Sequence, residues 1–299
     1  MSGGANAHDP GAAAARAAAV FENIRGGFGA LLRPPKPPPS PPPLGKGRVG
    51  AGFVPAWRRL KLQGVLAICA VSLAMLFLDT PLHRFAAGLP EWLVDDAFVV
   101  TDFGRSGWIL VPVGTLIMLI TLLTSPALDH MSRAVLAMVA VRLGYVFVAV
   151  GLPGLVSTVV KRWIGRVRPS AAGPFAYEPF SWRPEYASFP SGHATTAFAA
   201  LVAIALVFPR LRPILWLYAL LIAASRVMVS AHYTSDVIAG AAFGAFGALV
   251  VRDWFVARRL GFFVGSDGAV HIMAGPSRRR IKQVARGLVS SLKRACTRR

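Results

Sequence analysis

The sequence predicts an all-α fold, a bundle of six membrane-spanning helices with the functional site at the outer ends of the third to sixth helices. Hydrophobic residues make up 55% of the 299-residue chain and charged residues 15%, with a mean hydropathy of +0.54, which is too apolar for an ordinary soluble domain. Six apolar runs follow one another, each close to the roughly 17–25 residues that a spanning helix needs. They lie at roughly 62–78, 108–124, 134–160, 194–208, 213–230 and 236–251.

The first 60 residues are predicted to be a disordered Ala- and Pro-rich segment. Residues 34–43 are nearly all proline, which favours an extended linker over a packed domain. The segment lacks a short apolar core followed by a small-residue cleavage site, so it is not typical of a signal peptide. A surface helix over residues 12–32 is left as an alternative. The rest divides into a membrane domain over 61–255 and a basic cytoplasmic tail over 256–299.

Two of the six runs need justification as spans. The fourth, 194–208, is the shortest and would suit a buried helix of a soluble protein, but its five companions favour a membrane span. Arg142 interrupts the third run. We interpret it as an arginine that snorkels to the cytoplasmic surface, with a functional charge inside the membrane as the alternative.

Basic residues that flank the spans predict the orientation of the chain. Three groups fall on one side, which the positive-inside rule makes cytoplasmic, so both termini are predicted to be cytoplasmic. They are Lys46, Arg48, Arg58, Arg59 and Lys61; Arg210 and Arg212; and Arg252, Arg258 and Arg259. The loop between the first two runs is acidic, as expected on the opposite side. It holds Asp79, Glu91, Asp95, Asp96 and Asp102.

The outer loop between the third and fourth runs breaks this charge pattern. Its basic residues are Lys161, Arg162, Arg166, Arg168 and Arg183. Such a concentration on the outer side indicates an anion-binding site.

Three clusters of reactive residues lie at the outer ends of the third to sixth runs, so the topology predicts that they converge. Lys161, Arg168 and Arg226 suit the charged oxygens of a phosphate monoester. Ser191 and Gly192, where the fourth run begins, offer backbone N–H groups and the positive end of a helix dipole.

The two histidines of these clusters have distinct predicted roles. His232 and Asp236 are four residues apart, so one helical turn places the carboxylate near the imidazole, fixes its tautomer and frees the other ring nitrogen for nucleophilic attack. His193 then remains as the general acid for the leaving alkoxide and as the base for the attacking water.

The motifs resemble those of the type 2 phosphatidic acid phosphatase superfamily, which includes lipid phosphate phosphatases and shares its site with vanadium haloperoxidases. They are a lysine, six residues and Arg-Pro; Pro-Ser-Gly-His; and Ser-Arg, five residues, His, three residues and Asp. The resemblance covers roughly residues 60–255 and is specific over 161–236. It implies His232 as nucleophile, Asp236 as its partner and His193 as acid, with no metal and no other cofactor. The implied phosphate ligands are Lys161, Arg168, Ser191, Gly192 and Arg226.

The sequence therefore predicts an integral membrane phosphatase that hydrolyses a lipid phosphate or lipid diphosphate through a phosphohistidine intermediate. A bacterial inner membrane with the site facing the periplasm is favoured. A lipid phosphotransferase that uses the same phosphohistidine, and a non-catalytic phospholipid binder or transporter, are the alternatives. A haloperoxidase is disfavoured by the six spans. The lipid headgroup and the oligomeric state stay open.

Residues around these motifs allow two interpretations each. Arg162, Arg166 and Arg183 suit either a second phosphate of a diphosphate or, the favoured interpretation, solvated loop charges. Aromatic residues of the same loop suit either a lipid chain or anchoring at the membrane interface. They are Phe175, Tyr177, Phe180, Trp182, Tyr186 and Phe189. A basic amphipathic helix over roughly 276–299 is predicted to attract anionic lipids rather than nucleic acid.

Overall fold

The computed structural model describes residues 56–124, 128–171, 173–266 and 268–297, together with Ala18, Phe21 and Glu22. The predicted disordered segment 1–60 therefore lies almost entirely outside the described residues. The alternative surface helix over 12–32 lies outside them too, apart from those three residues, which are helical.

Helices make up most of the described chain. They are α1 (Ala56–Phe77), α2 (Asp79–Ala87), α3 (Glu91–Asp102), α4 (Gly107–Leu123), α5 (His130–Ile164), α6 (Gly192–Val207), α7 (Arg212–Met228), α8 (Thr234–Ala257) and α9 (Arg278–Thr297). Two short 3-10 helices, Pro184–Tyr186 and Pro209–Leu211, lie beside α6 in the sequence. An antiparallel hairpin of β1 (Phe262–Val264) and β2 (Val270–Ile272) separates α8 from α9.

All six predicted apolar runs fall on helices, namely α1, α4, α5, α6, α7 and α8. By length and hydropathy, four segments of the described chain could cross a membrane: 91–123, 130–164, 209–228 and 234–257. A fifth is added if Lys61–Phe77 and α2, which meet at a bend of 56°, form one span. The helix α6 has only 16 residues. The fold is thus a mostly helical membrane bundle, and the number of six spans stays a prediction.

The acidic segment between the first two runs is helical, and the expectation of a loop there was wrong. It forms α2 and α3, and α2 begins at the bend after α1. Asp79, the first residue of α2, is fully buried. This segment therefore contributes to the interior of the bundle as well as to its outer surface.

The long helix α5 ends at Ile164, and the next residue, Gly165, turns the chain towards the predicted site. Gly165 has φ +61°, a left-handed conformation that glycine adopts readily. A Cβ atom at this position would lie 1.7 Å from the Glu178 carbonyl oxygen, so a side chain cannot be accommodated. The turn sends Arg166 inward and leads on to Arg168.

The helices α6 and α8 approach each other at backbone contact. Cβ atoms built on Gly240 and Gly244 would lie 2.4 Å from the Ser191 carbonyl oxygen and 2.1 Å from the Thr195 carbonyl oxygen. The facing side of α6 is rich in buried alanine, including Ala194, which also leaves room for a close approach. The close packing brings the first turns of the two helices together.

At the opposite end of the bundle, the hairpin packs on the helices. Phe262 is buried, and its ring contacts that of Tyr145 edge-on at 4.8 Å between centroids. Arg142 donates hydrogen bonds to the carbonyl oxygens of Met138 and Met273, so its guanidinium links α5 to the chain after β2. The helix α9 forms where a basic helix is predicted, and the domain boundary at residue 255 stays a prediction.

Candidate active site

The eight predicted site residues all lie at the end of the bundle that is remote from the hairpin. Lys161 is in the last turn of α5 and Arg226 in the last turn of α7. Ser191, Gly192 and His193 begin α6, His232 lies in the turn between α7 and α8, and Asp236 is in the first turn of α8. Arg168 lies in the loop after α5. The Ser191 N–H donates to the Asp236 carbonyl oxygen at 3.0 Å, which joins two of the three motifs directly.

The start of α6 lies beside the Lys161 ammonium group. A Cβ atom built on Gly192 would lie 3.2 Å from Lys161 Nζ, so glycine keeps the space in front of the helix N-terminus open. Free N–H groups of a first turn and a lysine ammonium together suit an anion.

Three buried polar atoms at this site lack a hydrogen-bond partner among the described residues. They are Arg168 Nε, Ser191 Oγ and Arg226 Nε. The charges of Lys161, Arg168 and Arg226 also lie close enough to repel one another. Because an unpaired buried donor costs about 1–3 kcal/mol, this arrangement favours an anion with several acceptor oxygens, as phosphate has.

Arg226 is held in place by a residue that the sequence analysis did not single out. Its Nη1 donates to Thr101 Oγ1 at 2.7 Å, and both side chains are buried. Thr101 belongs to α3, in the segment that was expected to be a loop. It orients the Arg226 guanidinium from outside the three motifs.

His232 and Asp236 lie together as their spacing predicts, but a serine lies at the contact. His232 Nδ1 is 3.8 Å from Asp236 Oδ2, longer than a hydrogen bond. Ser188 Oγ donates to Asp236 Oδ2 at 2.5 Å and lies 3.5 Å from His232 Nδ1. The carboxylate also accepts the Tyr233 N–H at 2.9 Å. Asp236 and Ser188 thus face one ring nitrogen, which leaves Nε2 available for chemistry.

The environment of His232 favours the neutral imidazole. Burial lowers the pKa of His232 to about 4; the Asp236 carboxylate opposes this effect, and the Arg226 and Lys161 charges add to it. A neutral ring at pH 7 is the form that acts as a nucleophile.

Arg166 is fully buried, so the interpretation of this residue as a solvated loop charge was wrong. Its Nη1 donates to Asp236 Oδ1 at 2.6 Å and its Nη2 to Asp79 Oδ2 at 2.7 Å. Its Nε donates to the Pro174 carbonyl oxygen, and its guanidinium carbon lies 4.5 Å from the centre of the Tyr233 ring. Arg166 can be buried because its charge is paired with carboxylates and its N–H donors have acceptors.

Of the other two arginines, Arg183 is solvated, as favoured, and Arg162 in the last turn of α5 is partly exposed. Arg183 pairs at 3.5 Å with Glu185, and its side chain is 66% exposed. The Arg162 guanidinium donates to the backbone carbonyl oxygens of Trp182 and Arg183. Several loop aromatics are also exposed, including Trp182 at 81% and Phe180 at 71%.

A cavity of about 420 Å³ adjoins His193 and runs along the bundle between α4, α5 and α6. Gly192 and Arg105 line its polar end, next to His193. Leu110, Val150 and Leu155 line its apolar end. His193 packs against the turn before α4, which also lines the cavity; a Cβ atom built on Gly104 there would lie 2.8 Å from His193 Cδ2. The cavity therefore joins a polar end near the histidine to an apolar end among the helices.

The described residues contain no group of three or more His, Cys, Asp or Glu side chains arranged to hold a metal ion. The positive charge of the site comes from lysine and arginine. Together, the apolar helices and this cationic, histidine-containing site define a helical membrane protein equipped to process a phosphorylated ligand.

Comparison with known proteins identifies the family. Residues 142–260, which contain all eight predicted site residues, match the model of the PAP2 superfamily. The chain is 37% identical over 227 residues to the lipid A 1-phosphatase of Rhizobium johnstonii, covering 74% of this chain and 90% of the relative. It is 36% identical over 207 residues to the lipid A 1-phosphatase of Rhizobium etli, covering 68% and 88%. The chain belongs to the PAP2 superfamily and is an integral membrane lipid phosphate hydrolase, as the motifs predicted.

Two solved structures are similar to the chain. A crystal structure of the transmembrane PAP2-type phosphatidylglycerolphosphate phosphatase from Bacillus subtilis has a TM-score of 0.47 at 22% identity, covering 66% of this chain and 94% of that one. The crystal structure of Aquifex aeolicus LpxE has a TM-score of 0.43 at 21% identity, covering 58% and 94%.

Proposed function

We propose that this enzyme removes the 1-phosphate of lipid A through a phosphohistidine on His232, without a metal ion. The observation that carries the mechanism is a set of buried donors on Arg168, Ser191 and Arg226 that find no partner in the part of the chain that the structure describes, next to a neutral imidazole. Together with Lys161 and the N-terminus of α6, these donors supply the positive charge and the hydrogen bonds that bind the oxygens of a phosphate.

The first step forms the phosphoenzyme. His232 Nε2 attacks phosphorus, and the bond between phosphorus and the leaving oxygen breaks. His193, which takes up a proton when the negatively charged phosphate binds beside it, donates that proton to the leaving oxygen. The Asp236 carboxylate stabilises the positive charge that develops on the His232 ring. Lys161, Arg168 and Arg226 stabilise the charge on the non-bridging oxygens.

The second step releases phosphate. His193, now neutral, takes a proton from water, the water oxygen attacks phosphorus, and the bond to His232 breaks. This step distinguishes hydrolysis from phosphotransfer, in which a second acceptor takes the place of water. Both steps use the same eight residues, with His193 changing from acid to base between them.

The two lipid A 1-phosphatase relatives support lipid A as the substrate, since the alignments cover 90% and 88% of their lengths. The cavity beside His193 supports a lipid that enters sideways from the membrane, because its polar end adjoins the histidine and its apolar end lies among α4 and α5. The headgroup would then meet the site with its chains still in the bilayer.

The proposed setting is a bacterial inner membrane, with six spans, the site facing the periplasm and both termini cytoplasmic. The basic residues at the chain turns support this orientation. The helix α9, with exposed Arg279, Arg280, Lys282 and Arg286, supports attraction of the tail to anionic lipids, at about 1 kcal/mol per basic residue near the surface.

The proposal is tested with detergent-purified protein in excess EDTA and a panel of lipid A, phosphatidic acid, phosphatidylglycerol phosphate and undecaprenyl diphosphate. We expect phosphate release from the 1-position of lipid A by the wild type and none by His232→Ala. With labelled substrate and rapid quenching, the wild type should yield an acid-labile, base-stable phosphoenzyme, and His232→Ala should yield none, because the phosphorus then has no imidazole to bond to. His130→Ala, an exposed histidine that begins α5, is the matched control and should keep full activity.

Each element of the proposal has its own contradicting outcome. Turnover by His232→Ala would exclude the phosphohistidine, and loss of wild-type activity in EDTA would exclude the metal-free mechanism. Equal rates on every lipid of the panel would exclude lipid A as the preferred substrate. Transfer of the label to a second lipid instead of water would make the enzyme a phosphotransferase.

A further inference from the structure

A buried chain of three charged side chains lies behind His232, and two of its members, Asp79 and Arg166, have no part in the two chemical steps above. The Arg166 guanidinium lies between the carboxylates of Asp79 and Asp236, at 2.7 and 2.6 Å, and none of the three side chains has exposed surface. Two carboxylates and one guanidinium leave one net negative charge in the interior. Because buried charges are costly unless paired, each member of this chain depends on the other two.

Asp79 also holds the first turn of α8. Its Oδ1 accepts the Ser235 N–H at 2.8 Å, and its Oδ2 accepts the Ser235 hydroxyl at 2.6 Å. The first N–H groups of a helix have no partner within the helix, and a carboxylate there is favourable. Asp79 therefore caps α8 from a position 156 residues earlier in the chain. The capped turn is the one that carries Asp236.

We propose that Asp79 is a positioning residue of the phosphatase, which acts on His232 through Arg166 and Asp236. It balances the Arg166 charge, so that the Asp236 carboxylate keeps its negative charge available to the imidazole. It also fixes the turn from which that carboxylate projects. The inference rests on the proposed phosphohistidine at His232.

The physical reason lies in the charge that develops during attack. When His232 Nε2 bonds to phosphorus, its ring becomes cationic and needs the Asp236 carboxylate. Without the Asp79 charge, Arg166 would pair with Asp236 alone and neutralise it. The other charges near His232, namely Arg226, Lys161 and the His193 ring when protonated, are all positive and cannot take its place.

The test is Asp79→Asn in the full-length protein, since asparagine keeps the size and an acceptor oxygen but removes the charge. We expect kcat to fall about 10–100-fold, as for other residues that orient a reacting group from behind. We expect KM and the dissociation constant for inorganic phosphate, the product, to stay within about twofold, because Lys161, Arg168 and Arg226 are unchanged. Asp95→Asn, at an exposed position of α3, is the matched control and should match the wild type.

The pH profile separates a positioning role from a merely structural one. His232 must be neutral to attack, so activity falls as the pH drops through its pKa. Removing a nearby negative charge disfavours the protonated imidazole and lowers the pKa of His232 below its wild-type value of about 4. The acidic limb of kcat/KM should therefore move to lower pH in Asp79→Asn. A partly unfolded population would lower the amplitude and leave the limb in place.

Five results would contradict the inference. An unchanged kcat or an unmoved acidic limb in Asp79→Asn would show that Asp79 does not act on His232. Loss of phosphate binding would assign Asp79 to the fold alone. A wild type that forms no phosphohistidine contradicts the proposed function and the inference with it, whereas equally fast phosphohistidine formation in wild type and variant contradicts only the inference.

Discussion

The neutral side chain of Thr101 holds the guanidinium of Arg226 in position. Its hydroxyl accepts a hydrogen bond from Arg226 Nη1 at 2.7 Å, while Arg226 Nε has no partner among the described residues. We predict that Thr101→Val, which keeps the shape of the side chain, weakens vanadate binding about tenfold. The reason is that a buried guanidinium N–H loses its acceptor, at about 1–3 kcal/mol, and 1.4 kcal/mol corresponds to a factor of ten. Equilibrium binding to purified protein measures this.

Thr121→Val is the matched control for this variant. The Thr121 hydroxyl donates only to the Ile117 carbonyl oxygen of its own helix, so its replacement should leave vanadate binding unchanged. Equal affinity in Thr101→Val and the wild type would show that Arg226 needs no support from α3.

The contacts that the sequence predicts join residues close together in the chain, and the contacts that it misses join residues far apart in the chain. The spacing from His232 to Asp236 is one helical turn, so the pattern alone predicts their contact. Arg166 meets Asp79 across 87 residues, and no local period indicates such a partner. A loop arginine is usually solvated, and only the fold reveals that both of its neighbours are buried carboxylates.

At the scale of elements, the contact between α6 and α8 sets the geometry of the site. Gly244 allows it, since a Cβ atom there would lie 2.1 Å from the Thr195 carbonyl oxygen. We predict that Gly244→Ala lowers the thermal midpoint in detergent, at a cost of about 1–3 kcal/mol for overpacking. The activity per folded molecule should fall as well, because the displaced helices carry His193 and Asp236.

Gly144→Ala provides the comparison that this prediction needs. Nothing lies within 4 Å of a Cβ atom built on Gly144 in α5, so alanine should be neutral or stabilise the helix by up to about 1 kcal/mol. A Gly244→Ala protein that is as stable and active as Gly144→Ala would contradict the view that backbone contact determines the site geometry.

Hydropathy along the sequence predicts the apolar helices of the bundle but not the polar helices α2 and α3. Apolar runs located six helices because a lipid-facing helix needs apolar residues all along its length. The helices α2 and α3 were missed because Asp79, Glu91, Asp95 and Asp96 made their segment look like a polar loop. Part of that polarity is used inside the protein, since Asp79 is buried, so average hydropathy could not separate this segment from a solvated one.

At the scale of the whole molecule, the two ends of the bundle have different chemistry. One end gathers the cationic site and the exposed aromatic loop, including Trp182. The other end carries the hairpin, Arg142 and the basic helix α9. Such a division suits a chain with a fixed orientation in the membrane, with phosphate handled on one side and basic residues retained on the other.

Whether the short helix α6 crosses the membrane determines the number of spans, and the sides on which its two ends lie give the orientation of the chain. Its 16 residues are about 24 Å long, less than the roughly 30 Å of a hydrocarbon core. In a protein lacking Cys69 and Cys296, we predict that Trp182→Cys reacts with an impermeant maleimide on intact spheroplasts, and that Arg210→Cys reacts only after permeabilisation. Both positions are exposed, so accessibility to the reagent reports the side of the membrane. Labelling of both from outside would mean that α6 does not cross, and the reverse pattern would place the site in the cytoplasm.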